Sequence, residues 1–410
     1  MGATSCLKIC SKDDNELQTT FSVGKRSEQN NIKKENNFKE ENNNYFINND
    51  DNLYNIKETK LKENNSYQEF IKKLEKKLPC FGEYIDKEEF NKNIPENALQ
   101  FMAQNEFKFP DDIRLNENIF QMNPVKFKND NIYEGSWNEN IIMDGIGKYY
   151  IKEGNIFIEG IWDNGKSIYG RIYYPNNNIY EGYINNSNCH GKGKIFFNTG
   201  EIYEGDFNDG EIDGNGKFTF ADKTTYEGEF NKGEFNGNGI IKWPTGIIYE
   251  GEFSKNVLNN HGKLIGKDGE QYEGNFENNY FNGKGKYTFD DGSTYEGEFE
   301  SGLRNGKGIY IKKDDFSYEG SWANDYPHGF GTFILGDINI KGIWRNGFNA
   351  DITKIEGCLI DEFNQDKLNF KIPEVNLKTE KLSNLSNMNN IKNFTSSNNP
   401  SYLNSRENEQ

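Results

Sequence analysis

The sequence predicts an all-β protein: an elongated single antiparallel sheet of tandem β-hairpin repeats, with short N-terminal helices and disordered tails. Three observations predict it. A five-residue unit of the form Tyr-Glu-Gly-x-Phe or Trp returns along residues 133 to 344. From Tyr180 to Tyr318 its step is 23 residues each time, and a fixed period over that many units marks a stacked-repeat architecture. The composition agrees. The chain has 42 Gly and a 33% hydrophobic content, carried mostly by Phe, Tyr and Ile, which points to turns and flat aromatic packing and away from a helical core.

The copies open at Tyr133, Ile158, Tyr180, Tyr203, Tyr226, Tyr249, Tyr272, Tyr295 and Tyr318, with a worn last copy at Ile340-Lys341-Gly342. Each has a second half. A Gly-x-Gly follows within a few residues, as in Gly191/Gly193, Gly237/Gly239 and Gly306/Gly308, and then an alternating stretch such as Lys217-Phe218-Thr219-Phe220. The pattern reads strand, turn, strand. In Tyr226-Glu227-Gly228-Glu229-Phe230 the aromatics and the Gly share one face and the two Glu take the other, because strand side chains alternate. The Gly between two aromatics is expected to leave space for a neighbouring hairpin's ring. One hairpin is marginal alone, so the units must stack. At ~10 Å per hairpin, ten of them predict a rod on the order of 100 Å.

The Tyr-Glu-Gly-x-Phe/Trp opening, the Asn/Asp/His-Gly-x-Gly middle and the 23-residue step resemble the MORN (membrane occupation and recognition nexus) repeat family, over about half the chain. The resemblance implies a twisted antiparallel sheet of hairpins, a scaffold at membranes or cytoskeletal structures, and in some members a homodimer. Two copies depart from the pattern. The second begins with Ile158 and lacks Gly-x-Gly, and the sixth reads Gly262-Lys263-Leu264. Those two hairpins are expected to be bent or looser.

Five segments follow. Residues 1–60 are an Asn/Lys/Glu-rich tail too polar to offset ordering entropy. Residues 61–125 hold short helices and an N-terminal cap. There Ser66-Tyr67-Gln68-Glu69 reads as a capping box ahead of Phe70, Ile71, Leu74 and Leu78, which share one helical face, and Pro79 is expected to stop the run. A second helix is expected from Pro95, carrying Leu99, Phe101 and Met102. Residues 126–345 hold about ten repeats, 346–372 a C-terminal cap and 373–410 a second disordered tail.

Charge and cysteine usage narrow the function. A net charge of −17 argues against nucleic acid, because no basic excess exists to neutralise phosphates. From 131 to 350 acidic residues outnumber basic ones by about 12, where a lipid-headgroup surface would want clustered Lys and Arg. Five scattered cysteines, none in Cys-x-x-Cys, indicate neither a disulfide framework nor a zinc site and fit a reducing compartment. No stretch reaches the ~20 apolar residues of a membrane span, and no signal-peptide core follows the start.

The chain starts Met1-Gly2-Ala3-Thr4-Ser5-Cys6. Gly2 with small residues after it is similar to an N-myristoylation signal, although Cys6 stands where Ser or Thr is usual. Cys6 and Cys10 would then be palmitoylation sites, since one acyl chain binds a membrane marginally and a second makes attachment stable.

Other chemistry-like spellings dissolve into the repeat. Gly160-Ile161-Trp162-Asp163-Asn164-Gly165-Lys166-Ser167 spells a Walker A motif, but a phosphate loop needs a helix opening at its Lys, and Ile168-Tyr169-Gly170-Arg171-Ile172-Tyr173 is strand composition. His190, His261 and His328 each precede the first Gly of a second half, where other copies carry Asp144, Asp213 or Asn236. That equivalence suggests a residue tolerant of positive φ, and a spacing of three repeats is too long to share an ion. The recurrent Glu are expected on a solvated face or paired with Lys of the next hairpin; a catalytic pair would not recur in every copy.

The expected function is therefore a non-enzymatic scaffold, with no cofactor and no metal, tying a cytosolic membrane face to protein partners. The expected location is cytoplasmic, at a membrane or the cortical cytoskeleton. Tyr203, Tyr226, Tyr249, Tyr272 and Tyr295 are the candidate protein-binding residues; Gly2, Cys6 and Cys10 are the candidate lipidation sites. Two alternatives stand beside it: a regulatory subunit of a lipid kinase or methyltransferase, and a cytoskeletal or axonemal component.

Overall fold

The computed structural model describes residues 65–116, 118–185 and 187–356; the two tails and Gly2, Cys6 and Cys10 lie outside them. Among the described residues there are three helices and 22 strands, and each strand pairing given below is antiparallel. Two compact units divide the chain. The first takes in residues up to 94 with 108–153 and 161–166; the second takes in 95–107, 154–160 and 167 onward.

In the first unit, helix α1 (Asn65–Phe81) buries Phe70, Leu74, Leu78 and Phe81. Phe70 stacks on Phe120 at 4.4 Å. The apolar face matches the expected one, but the helix bounds do not. Ser66 already lies within the helix, and Pro79 lies inside its last turn. So close to the end, the missing Pro N–H removes a single intrahelical bond and does not break the run. Strand β1 (Gly82–Tyr84) and helix α2 (Lys87–Asn91) follow. Asp86 caps α2 by accepting the Glu89 N–H at 2.6 Å. Strands β2 (Ile119–Phe127), β3 (Ile132–Asn138) and β4 (Met143–Ile151) pair in sequence order, with β1 on the other edge of β2.

In the second unit, helix α3 (Glu96–Gln104) starts at Pro95 as expected, but Ala98 is its buried residue and Leu99 is exposed. Of strands β5 (Ile156–Asp163) and β6 (Lys166–Tyr173), residues 156–160 and 167–173 belong to this unit, and a meander from β7 (Ile179–Asn185) to β22 (Phe348–Glu356) follows. One hairpin stands for the rest. Strand β11 (Thr225–Asn231) turns at Lys232-Gly233 into β12 (Glu234–Lys242). Both turn residues have positive φ, 48° and 74°, as a two-residue type I′ turn requires.

The glycines then decide the packing. Gly228 lies opposite Gly239, and Gly239 opposite Gly251 of β13 (Ile248–Ser254). A Cβ on Gly239 would stand 2.5 Å from Tyr226 Cε2, so the Tyr226 ring lies flat across the glycine pair. The vacancy is filled by the strand's own Tyr, not by a neighbouring hairpin's ring as the sequence suggested. The Tyr226 hydroxyl donates to the Glu229 carbonyl at 2.8 Å, a bond repeated by Tyr203, Tyr249, Tyr272, Tyr295 and Tyr318. The neighbour contributes its Phe edge. Tyr226 meets Phe230 at 5.1 Å and Phe253 of the next hairpin at 5.0 Å, both edge-on. Edge-to-face pairs of this kind contribute about 0.5–1.5 kcal/mol beyond burial.

The second inter-hairpin tie is polar. The second turn residue of each hairpin donates its N–H to a carbonyl of the hairpin before it: Gly233 to Ile212 at 2.8 Å, Asn256 to Phe235 at 3.1 Å, Gly302 to Phe281 at 2.9 Å. Asn256 adds a side-chain bond, accepting the Phe235 N–H at 2.7 Å. Each hairpin is thus completed by its successor, as stacked repeats require.

Positive φ falls on the first Gly of the second half, not on the residue before it. Gly191, Gly237 and Gly283 have φ near 66°, while His190 and His328 are absent from the positive-φ residues. The register shifts between Gly228 and Phe230, so this Gly sits in a β-bulge. The sixth copy is regular. Gly262 is the second Gly of its pattern, opposite both Gly251 and Gly274; Asn260 takes the left-handed place at φ 55°. His261 therefore sits two positions later in the repeat than His190 and His328, whose equivalent in this copy is Asn259. The second copy keeps a glycine pair, since a Cβ on Gly160 would meet Gly170 Cα at 2.7 Å.

Candidate interaction face

Because side chains alternate, the face opposite the tyrosines is polar. One row of directly opposed residues crosses the second unit on that face. It begins Arg171–Glu181–Lys194–Glu204–Lys217–Glu227. It continues through Ile240, Glu250, Lys263, Glu273, Lys286, Glu296, Ile309, Glu319 and Thr332 to Lys341, so three of its members are uncharged. Opposite charges facing each other across strands contribute about 0.2–1 kcal/mol per pair. Lys194–Glu204 closes to 3.1 Å and Lys263–Glu273 to 3.7 Å; both pairs are solvent-exposed, where such bridges fix register more than stability. The recurrent Glu are therefore the paired, solvated residues the sequence suggested.

At its start this face is covered by the chain itself. Arg171 is 2% exposed. Its guanidinium donates to Glu181 at 2.7 Å and to the backbone carbonyls of Asn105 at 2.8 Å and Glu106 at 2.9 Å. The Phe101 and Phe107 rings lie 5.2 Å and 4.8 Å from its Cζ. Phe107 stacks on Tyr169 at 5.9 Å, and Phe101 meets Phe196 edge-on at 5.1 Å. Beneath them Tyr173 donates to Glu159 at 2.6 Å, and burial together with Glu159 holds that phenol above its ordinary range. Burial by itself would lower the Arg171 pKa; the Glu181 hydrogen bond and charge more than offset it. The arrangement is a peptide clamp: an arginine between two carboxylates reads main-chain carbonyls, and aromatic rings close over it. The sequence reading missed it. Its one signal was an Arg in the row where later repeats carry Lys.

The five candidate tyrosines are a correction. Tyr203, Tyr226, Tyr249, Tyr272 and Tyr295 are each 0% exposed, pinned by the glycine pairs below and the Phe edges beside them. They are core, and burial raises the phenol pKa of each. The accessible groups are the Glu and Lys of the opposite face. His190, His261 and His328 lie on β8 (Asn188–Phe196), β14 (Val257–Ile265) and β20 (Tyr326–Leu335). Among the described residues no group of three His, Cys, Asp or Glu could hold a metal ion. The Walker spelling runs from β5 through the Asn164-Gly165 turn into β6, so a strand opens at Lys166. No helix of the described residues is long and apolar enough to cross a membrane.

Several solved structures overlap parts of the chain. The TCP10 domain of Danio rerio CPAP in complex with a STIL peptide is 15% identical, with a TM-score of 0.29 over 43% of this chain and 78% of that one. The SAS-4 (dCPAP) TCP domain of Drosophila melanogaster, bound to a proline-rich motif of Ana2, is 14% identical, with a TM-score of 0.23 over 48% of this chain and 99% of that one. No curated protein matches the chain. The MORN repeat model matches eight segments: 133–156, then end to end from 180 to 294, and 295–315 and 318–337. They coincide with the Tyr-over-glycine hairpins, and this chain belongs to the MORN repeat family.

Proposed function

We propose that this chain is a non-enzymatic repeat scaffold that ties a cytosolic membrane face to protein partners. The observation that carries the reading is the clamp at Arg171. There the polar face already holds a peptide, the chain's own residues 95–107, through main-chain carbonyls and rings. Beyond it the same face presents paired Glu and Lys to solvent. Charged, shallow and extended, it suits side chains of a protein partner better than a small molecule. Attachment to the membrane is assigned to acyl chains on Gly2, Cys6 and Cys10, whose sequence context supports two signals.

Two measurements test it. Intact-mass analysis of the N-terminal peptide from cells should find the acyl groups, and Gly2→Ala should move the chain from the detergent-soluble membrane fraction to the cytosol. A Gly2→Ala chain still fully membrane-bound, or a wild-type chain held in the detergent-insoluble cytoskeleton, refutes the anchor. For the scaffold, Glu250→Lys with Glu273→Lys should strip proteins that co-purify with wild type; an unchanged set refutes the face.

A further inference from the structure

The turn edge of the charged face changes character midway along the second unit. Each second strand opens on the residue that follows its hairpin's turn. From β8 onward that residue is first Asn188, then Glu211 and Glu234. In the next five hairpins it is Val257, Tyr280, Leu303, Tyr326 and Phe348. Phe281 stacks on Tyr272 on the tyrosine face at 3.8 Å, so Tyr280 takes the charged face, because strand side chains alternate. Leu303 and Tyr326 stand likewise beside the buried Arg304 and Pro327. Tyr280 is 48% exposed, Leu303 40%, Tyr326 44% and Phe348 66%. The row bridges hairpins: the Tyr326 ring comes within 3.4 Å of the place that a Cβ on Gly347, in the next turn, would take. Large apolar groups exposed in a row, one per hairpin, mark a surface for a partner.

We infer that the row is the docking site for an amphipathic helix of a partner protein, apolar at every seventh residue and basic beside that stripe. The step selects a helix. Hairpins follow each other at ~10 Å, and seven helical residues rise about 10.5 Å. Side chains one heptad apart therefore meet Tyr280, Leu303 and Tyr326 in turn. A peptide in strand conformation needs three residues for the same ~10 Å, and an odd count turns every second contact away from the sheet. Because a sheet twists by about 20–25° per strand, a straight helix follows three hairpins and not all five.

Charge and precedent agree. Glu277 lies directly opposite Tyr280, and Glu300 opposite Leu303. Both are exposed, and they accept the side-chain amides of Asn282 and Asn305. A neutral amide leaves a carboxylate its charge, which suits Lys or Arg beside the helix's apolar stripe. The same face already carries a helix at its N-terminal end, where Phe101 of α3 meets Phe196 edge-on at 5.1 Å and Tyr173 at 6.3 Å. The inference rests on the scaffold reading and gives the form of one partner; it does not depend on the membrane anchor.

The probe is a synthetic peptide of about 18 residues, leucine at every seventh position with lysine and alanine between, titrated onto the full-length chain. Binding should raise the peptide's helical circular dichroism. A peptide of the same composition with its leucines out of phase should bind at least about tenfold more weakly. Leu303→Glu gives the residue type of Glu211 and Glu234, so the sheet folds, and it should weaken the in-phase peptide by a similar factor. Equal binding of both peptides, or of Leu303→Glu and wild type, would overturn the inference. So would tighter binding of a peptide with proline at every third residue, which would assign the row to a polyproline segment. A wild-type dimer that Leu303→Glu abolishes would assign it to a second copy and sink the helix as well. Glu250→Lys with Glu273→Lys reads the scaffold separately: partner proteins lost there, with no peptide bound by wild type, would refute the helix and leave the scaffold standing.

Discussion

A methyl group added at Gly239 would meet Cε2, Cζ and the hydroxyl oxygen of Tyr226 at 2.5–2.7 Å. The ring cannot swing aside. Phe235 stacks on it at 3.7 Å, and Phe230 and Phe253 hold its edges at 5.1 and 5.0 Å. Gly239→Ala therefore forces the ring off the glycines, an overpacking cost of about 1–3 kcal/mol. It also breaks the hydroxyl bond to the Glu229 carbonyl, about 1 kcal/mol more. The expected loss is about 2–4 kcal/mol in urea unfolding. Amide exchange across β11–β13 should report it locally, because long repeat arrays need not unfold as one unit. Gly269 supplies the control. Its φ is 93° and nothing lies within 4 Å of an added Cβ, so Gly269→Asn should cost only the backbone strain of a left-handed residue, about 1 kcal/mol, with no packing clash. In a Tyr226→Leu background the Gly239→Ala cost should shrink, since the clash has lost its partner. A Gly239→Ala chain as stable as the control, or costs that simply add, would refute the ring-over-glycine account.

Three further outcomes are expected. Arg171→Met should loosen residues 95–107 and cost about 3–5 kcal/mol, because Glu159 and Glu181 keep their charge and lose their cation; limited proteolysis near α3 reads the loosening, and wild-type resistance there would contradict the clamp. Asn256→Ala should cost about 1–3 kcal/mol, from the lost acceptor for the Phe235 N–H and from a left-handed Cβ; Asn256→Gly keeps the backbone and should cost less by thermal unfolding. Burial raises the phenols of Tyr226, Tyr249, Tyr272 and Tyr295 above their ordinary 10.0, so the folded chain holds those protons more tightly than the unfolded one. That stability is whole below pH 10.0 and is lost as pH rises through the folded-state values. Tyrosinate absorbance and loss of strand circular dichroism should therefore rise together, and ionised tyrosines in a folded sheet would contradict it.

The period, the strand faces and the Glu–Lys pairing were legible because they depend on nearest neighbours that recur in sequence. What the ring does was not. Strand alternation puts Tyr226 and Gly228 on one face, but only the antiparallel register reveals that Gly239 lies beneath the same ring. That a Tyr lies over a glycine pair also settles its burial, which is why the five candidate contact tyrosines turned out to be core. Arg171 was illegible for a different reason. Its carbonyl partners lie 66 and 65 residues away, outside any repeat. The helix at Pro95 was legible by its start signal, but which face it buries depends on Tyr173 and Phe196, so Leu99 was misplaced. His261 was misread by two positions because two spellings, Gly-x-Gly and Asn-His-Gly, fill one bulge.

The turn bond from each hairpin to its predecessor sets the grammar of insertion and deletion. Each hairpin brings a donor for the one before and leaves an acceptor for the one after. Removing 226–248, one matched repeat, would join Thr225 to Tyr249 and bring the Asn256 N–H to the Ile212 carbonyl that Gly233 now uses. Every donor and ring then finds an equivalent partner. A cut one residue longer or shorter turns each following side chain to the opposite face and parts every tyrosine from its glycines. Such a gene can lengthen or shorten its product only in whole words of 23 residues, and the count of words sets how much charged face the product displays.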